Sequence, residues 1–390
     1  MIPVPRRSLR CFRKGTRRAR AARFVSSSTR ALVRDITHSC VKCSGARAQD
    51  TIALMRIGVL GLGFMGSTHI RALRDITGVT LGAVFSSDEA KLAGDLSGVQ
   101  GNLGGSGERY DFSSVRRYRR IDAMLEDPAI DAVDICLPTN LHAMVAIDAL
   151  RAGKDVVVEK PMAMDAASAE RMIAEAEKHK RILMTAHVLR FMAPYRALID
   201  ALADGRLPAL RHAIFRRRCA APAWGGWLLD PERSGGGVFD LLIHDVDIVL
   251  RLLGRPEMVS AVGYEATERG IDVITAELHY SGHRTVVIAG GWHHPKAYPF
   301  RMEYTVVTDE GTLEYSSRDQ PPTLYTADGD TRALPQEAID GYRAELEYFV
   351  RCCESRSRPE LCPPEDSAAA VALTRLLLEA RNRNGERMPL

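Results

Sequence analysis

Met55-Arg-Ile-Gly-Val-Leu-Gly61-Leu-Gly63-Phe64-Met65-Gly66 is the stretch that decides the fold. Residues 56–60 are a short apolar run that reads as a strand, and a helical stretch, 64–74, follows on the glycines. Strand, glycine-rich turn and helix in direct succession form a holder for a dinucleotide pyrophosphate. Gly61 permits the tight turn, Gly63 lets backbone N–H groups approach the phosphates, and Gly66 lets helix and strand pack closely. The helix opening at Phe64 and Met65 adds the positive end of its dipole. A G-x-G-x-x-G pattern alone is weak evidence; here its setting supplies the meaning.

Downstream the same alternation continues. Residues 79–85 read as a second strand, with a short helix from Asp88 and a glycine-rich loop over 98–107. Strands over 132–137, 155–158 and 182–185 alternate with helices over 141–152 and 166–179, the pattern of a parallel sheet. After about residue 187 the rhythm changes. A helix over 238–253 precedes strands over 259–267, 271–280, 285–292, 301–308 and 312–315, joined mostly by short turns, and helices near 339–353 and 366–382 follow. The expected fold is an α/β Rossmann dinucleotide-binding domain over 55–186, followed by an α+β domain over 187–390 with a large, mostly antiparallel open sheet. A ligand site in the cleft between them is expected.

Residues 1–54 differ from this body. They hold 13 Lys+Arg against 2 Asp+Glu, a balance of +11, whereas the remaining 336 residues hold 40 basic and 47 acidic side chains, a balance of −7. The formal +4 of the 390-residue chain is therefore misleading, and a nucleic-acid partner is not expected. The segment reads as a disordered basic extension upstream of a start at Met55. A transit peptide has similar composition, and Arg6-Arg7 hints at a twin-arginine signal whose apolar segment is interrupted by further arginines. No uncharged apolar run approaches the roughly 18 residues of a membrane span. The eight cysteines follow no disulfide framework, which fits free thiols in a reducing, cytoplasmic setting. Cys40-Val-Lys-Cys43 beside His38 lacks a second ligand pair, so no metal is expected.

Two further stretches carry chemistry. Glu159-Lys160-Pro161 lies at the carboxyl end of a strand, where open α/β sheets place ligands. In the second half, Gly235-Gly236-Gly237 opens a helix on which Asp240 and His244, four residues apart, share one face, with Asp247 a turn further on. A carboxylate and an imidazole so placed can bind a substrate hydroxyl and relay its proton. His279, His283, His293 and His294 read as ordinary strand or loop histidines. At the end of the second strand, Ser86 and Ser87 stand where a carboxylate for the ribose of NAD is expected. Serine does not repel a 2′-phosphate, so both NAD and NADP remain open, NADP slightly ahead, although no arginine adjoins the serines in sequence.

Taken together, these motifs resemble the glucose–fructose oxidoreductase / inositol dehydrogenase (Gfo/Idh/MocA) family over residues 55 to about 385. The likeness rests on the glycine turn, Leu137-Pro138-Thr139-Asn140-x-His142, Glu159-Lys160-Pro161, His187-x-x-Arg190-Phe191-x-x-Pro194-Tyr195, and Gly236-Gly237-x-x-Asp240-x-x-x-His244-x-x-Asp247. The Asp240–Asp247 segment is especially similar to the inositol dehydrogenase branch, while Ser86 departs from NAD-using members. The resemblance implies an NAD(P)-dependent dehydrogenase or reductase acting on CH–OH groups of a sugar, inositol or related polyol. It places Lys160 and His244 in proton transfer, with Asp240 orienting the substrate, and it allows a cis Lys160-Pro161 bond. Gly61, Gly63, Phe64, Met65, Gly66, Ser86, Ser87, Leu137, Pro138, Thr139, Asn140, His142, Glu159 and Lys160 would bind cofactor. Arg190, Tyr195 and Trp227 would face the substrate, a small polyhydroxylated molecule, and a homodimer or homotetramer is implied. Two alternatives share the sequence features: an NAD-dependent glycoside hydrolase of the same fold, and a non-catalytic cofactor-sensing protein.

Overall fold

A computed structural model describes residues 54–101, 107–207, 210–223 and 225–390. The basic extension before Leu54, with Cys11, His38, Cys40 and Cys43, lies outside the described residues, as does the middle of the glycine-rich loop.

The first domain contains β1 (Met55–Leu60), α1 (Phe64–Leu73), β2 (Val79–Phe85), α2 (Glu89–Leu92), β3 (Arg116–Tyr118), α3 (Ile121–Leu125), β4 (Ala132–Ile135), α4 (Thr139–Arg151), β5 (Asp155–Glu159), α5 (Ala166–His179) and β6 (Leu183–Ala186). All six strands are parallel, in the order β3-β2-β1-β4-β5-β6. The central strands β4 and β5 are buried at every position, as a sheet covered on both faces requires. The order reverses direction between β1 and β4, which opens a crevice at the strands' carboxyl ends. The glycine turn after β1, Leu137-Pro138 after β4 and Lys160 after β5 all stand at that edge.

The second domain contains α6 (Ala193–Ala203), β7 (His212–Cys219), α7 (Pro231–Ser234), α8 (Gly237–Leu253), β8 (Met258–Ala266), β9 (Ile271–Tyr280), β10 (Arg284–Trp292), β11 (Arg301–Val307), β12 (Gly311–Ser316), β13 (Gln320–Thr326) and β14 (Thr331–Ala333). Then come α9 (Gly341–Ser355), α10 (Pro364–Asn382) and β15 (Met388–Pro389). Among the described residues nine strands form one sheet, β14-β13-β12-β11-β7-β10-β9-β8-β15, in which only β7 and β10 are parallel neighbours. Alternate residues of β9 (Ile274, Ala276, Leu278) and β10 (Val286, Ile288) are buried beneath α8. α8 is apolar nearly all round, as a helix enclosed on several sides must be. α9 packs on α1, and its Leu346, Phe349 and Val350 share a core with Ile57 and Val59 of β1, so the chain returns to the first domain near its end.

Candidate active site

One cleft of about 470 Å³ joins the two domains. On the first domain's side it is lined by Gly61, Gly63, Phe64, Met65, Leu137, Pro138, Thr139, His142, Glu159 and Lys160; Trp227, Asp240 and His244 line the other side. At Gly61 the backbone is left-handed (φ +103°), and a Cβ there would stand 2.5 Å from the Cys136 carbonyl oxygen. A Cβ at Gly66 would stand 1.9 Å from the Gly61 carbonyl oxygen. At Gly63, by contrast, a Cβ would meet nothing within 4 Å. The first and third glycines thus close the turn on itself, while the second faces open space beside a helix start with no side-chain cap and no acid in its first turn. That cradle fits a pyrophosphate. The residues present therefore suit the pyrophosphate of a dinucleotide.

Lys160 reaches across the cleft. Its Nζ donates to the main-chain oxygen and to Oδ1 of Asp240, both at 3.0 Å, with the two side chains 14% and 18% exposed. Exposure of that size keeps the pair open to a ligand while screening it from bulk water. The Lys160-Pro161 peptide is cis, as the resemblance implies. The ring nitrogens of His142 lie 2.8 Å from the Pro161 and Leu137 carbonyl oxygens, bracing this turn against the loop after β4. Glu159 anchors the turn from within: its Oε2 accepts from the Lys160 N–H at 2.9 Å, and its Oε1 lies 3.3 Å from His69 Nε2. His244 follows Asp240 by one turn of α8. Burial, reinforced by the charges of Lys160, Arg217 and His187, holds its pKa well below the ordinary histidine value. The imidazole is therefore neutral near pH 7, and its Nδ1 has no hydrogen-bond partner among the described residues.

Not every expected residue stands in the cleft. Arg190 and Tyr195 were expected to face substrate, and both are turned inward. Arg190 is 2% exposed and grips Asp247 with two bonds of 2.9 and 2.7 Å, with a third to Asp366 at 3.0 Å. Tyr195 is fully buried; its Oη accepts from Arg217 at 3.2 Å and its ring packs edge-on against Tyr304 and Tyr315. The reason is charge: α8 carries Asp245 and Asp247 into the core, and each needs a guanidinium there. Asn140 is exposed outside the lining, and Ser86 is buried with its Oγ accepting from the Asp88 N–H. Gly66 and Ser87 are also outside the lining.

Conversely, Lys91, Met192, Phe300, Met302 and Tyr342 line the cleft without having been singled out in the sequence. Most belong to no motif. A lysine just after the Ser86 position was the one available clue. Space also supplies what the sequence lacked near the serines: the Ser86 N–H bonds the Tyr118 carbonyl oxygen, which brings Arg119 of the neighbouring strand end beside them, where it pairs with Glu89.

Comparison with known proteins agrees with this geometry. Residues 55–187 match the oxidoreductase family model for an NAD-binding Rossmann fold, and residues 195–314 match the model of the GFO/IDH/MocA C-terminal domain. The chain belongs to the Gfo/Idh/MocA oxidoreductase family. It is similar to a myo-inositol 2-dehydrogenase of Thermotoga maritima, 29% identical over 335 residues that cover 82% of this chain and 94% of the relative. It is also similar to a 1,5-anhydro-D-fructose reductase of Ensifer adhaerens, 34% identical over 255 residues, 61% of this chain and 74% of that one. Among solved structures, that of a probable dehydrogenase from Thermotoga maritima superposes with a TM-score of 0.70 at 25% identity, covering 86% of this chain and 98% of the other. Family membership supports NAD(P)-dependent oxidoreductase activity. No described helix is long and apolar enough to cross a membrane.

Proposed function

We propose that this member of the family interconverts a secondary alcohol and a ketone, or an aldose and its lactone, on a sugar, inositol or related polyol. The observation that carries the reading is the Lys160–Asp240 bond across the cleft, one helical turn from a neutral His244 and in the same cavity as the glycine cradle. The curated relatives that point to such substrates include inositol, xylose and apiose dehydrogenases. A nicotinamide bound there supplies or takes up a hydride. In the oxidative direction the carbinol C–H bond breaks, the hydride leaves, the O–H proton passes to His244 and the C=O bond forms. Lys160 holds the oxygen while its charge develops, and Asp240 fixes Lys160 and orients the hydroxyl. Because the His244 pKa is lowered, this base stays unprotonated below the usual histidine range, and oxidation should persist into mildly acidic buffer.

NADP is the favoured partner of the two dinucleotides. Ser86 leaves the ribose end without the expected carboxylate, Lys91 lines the cleft as a cation, and Arg119 beside the serines would have to exchange Glu89 for a phosphate. Val262 and Tyr264, 54% and 55% exposed on the nine-stranded sheet, support a homodimer or homotetramer formed through that sheet. The test is a panel of polyols and aldoses assayed with NAD and with NADP by the absorbance of reduced nicotinamide. Net reduction with at least one polyol is expected, and faster with NADP. Hydrolysis of a glycoside without net reduction would replace this reading with a hydrolase.

A further inference from the structure

The cleft offers fewer polar groups to a substrate than its lining first suggests. Arg217 lines it but is 2% exposed and committed to Asp245, at 2.8 and 3.1 Å, and to Tyr195. Both ring nitrogens of His142 lie against carbonyl oxygens, and Glu159, 6% exposed, is held by His69 and the Lys160 N–H. Lys91, Gln100 and Tyr342 are on the nucleotide domain's side, carried by α2, the loop after it and α9. Among the described residues, the charged or imidazole side chains left to meet substrate are Lys160, Asp240 and His244, beside the Thr139 hydroxyl and the Trp227 indole N–H. The first three converge on one place, since Lys160 and Asp240 are bonded and His244 is a turn away.

Among the described residues, the rest of the opposing wall is mostly apolar side chain, interrupted by the main chain of Gly225 and Gly226 and the indole N–H of Trp227. Met192, Trp227 and Phe300 keep exposed surface there, backed by buried Leu228, Leu241 and Met302. A ring hydroxylated on every carbon would set several hydroxyls against this wall. Each hydroxyl that loses water without gaining a partner costs about 1–3 kcal/mol. Apolar surface held open in a cleft instead gains by covering an apolar group, roughly 25 cal/mol per Å². Two aromatic faces among the six side chains suit a flat group.

Building on the redox reading above, we propose that the substrate joins a hydroxylated sugar or cyclitol ring to an apolar group of aromatic size. The ring presents its reacting CH–OH to Lys160, Asp240 and His244, and the substituent lies on Trp227 and Phe300. Free inositol or a free aldose is then turned over, but less efficiently than the substituted ring.

Matched phenyl and methyl glycosides of a series of hexoses, assayed beside free myo-inositol with NAD and NADP, test this. Calorimetric binding of both glycosides to the cofactor-loaded protein is measured in parallel. The phenyl member should exceed the methyl one in kcat/KM, or in affinity, by at least about tenfold, because even one methylene in an apolar pocket is worth 10–200-fold. Trp227→Ala and Phe300→Ala should each shrink that ratio. Parity between the two glycosides, or a preference for free polyols, overturns the proposal while leaving the redox reading intact. Turnover of nothing in the panel counts against the redox reading, and the binding ratio then decides the fate of the substituent.

Discussion

Beneath the glycine turn a single imidazole faces three carboxyls, whereas in the second domain Arg217 and Arg190 each grip one carboxylate of α8 by two bonds. His69 is fully buried in α1, with Asp134 at 2.8 Å on one ring nitrogen and Glu159 at 3.3 Å and Glu345 at 3.8 Å on the other. Burial works against the charged ring, yet Asp134 and Cys136 beside it raise its pKa well above the ordinary value. Burial also raises the Glu345 carboxyl well above the ordinary value, and neither of its oxygens has a hydrogen-bond partner among the described residues. This cluster reaches balance by keeping protons. The pairs Arg217–Asp245 and Arg190–Asp247 reach it by two-point geometry and need none. The first arrangement is therefore tied to pH and the second to stereochemistry.

The largest effect should come from breaking a matched pair. Asp245→Ala leaves Arg217 buried without its carboxylate and should cost about 3–5 kcal/mol in guanidinium unfolding. The double replacement Arg217→Met, Asp245→Leu should recover much of that. A single replacement costing under about 1 kcal/mol would show that water reaches the pair.

In the proton-holding cluster, two neutralising changes should separate. His69→Gln removes the cation facing Asp134 and Glu159 and should cost about 1–3 kcal/mol. Glu345→Gln replaces an acid that is already neutral and should cost less at pH 7, measured in the same denaturant series. Equal losses would place a negative charge on Glu345 and dissolve the distinction.

The pH dependence follows with a definite sign. His69 and Glu345 hold protons in the folded chain that the unfolded chain releases above its ordinary values, 6.5 and 4.5. Stability from these two groups therefore falls as pH rises beyond those values, until the folded groups themselves titrate. His187 and His244, with lowered pKa values, act in the opposite sense and destabilise the fold as pH drops below 6.5. The denaturation midpoint of the wild type should decline from pH 7 to pH 9, and Glu345→Gln should flatten that decline. At the small end, Arg196→Ala removes a half-exposed pair with Asp200 in α6 and should change stability by about 0.5 kcal/mol or less.

The same contrast explains what could be read in advance. The parallel sheet was legible because each strand is a short apolar run with a glycine or helix signal after it, and residues 79–85 and 166–179 come out with the expected bounds. β7, central to the second sheet, was not expected. Its Arg216-Arg217-Arg218 hides an alternating pattern whose inward member is a charged residue, made tolerable by Asp245 on a helix 28 positions away. Cys40 and Cys43 have ligand spacing in sequence, whereas His69, Asp134 and Cys136, whose ligand atoms lie within 4.8 Å of one another, carry no sequence signal because they sit on different elements. Lys160, Asp240 and His244 were legible from motif and helical spacing. Arg190 and Tyr195 were misplaced, since a motif gives the order of residues and not which way a buried counter-ion turns them. Trp227 was expected as a wall; Phe300 and Met302 had no signal at all.

The account rests on Lys160 meeting Asp240 and His244 over a bound alcohol. Lys160→Met keeps most of the side chain's length and removes its charge and donors. With a substrate and dinucleotide identified as above, kcat in this variant should fall by about 10²–10⁴-fold while the dissociation constant of the dinucleotide stays near the wild-type value. Turnover close to wild type with cofactor still bound would contradict it.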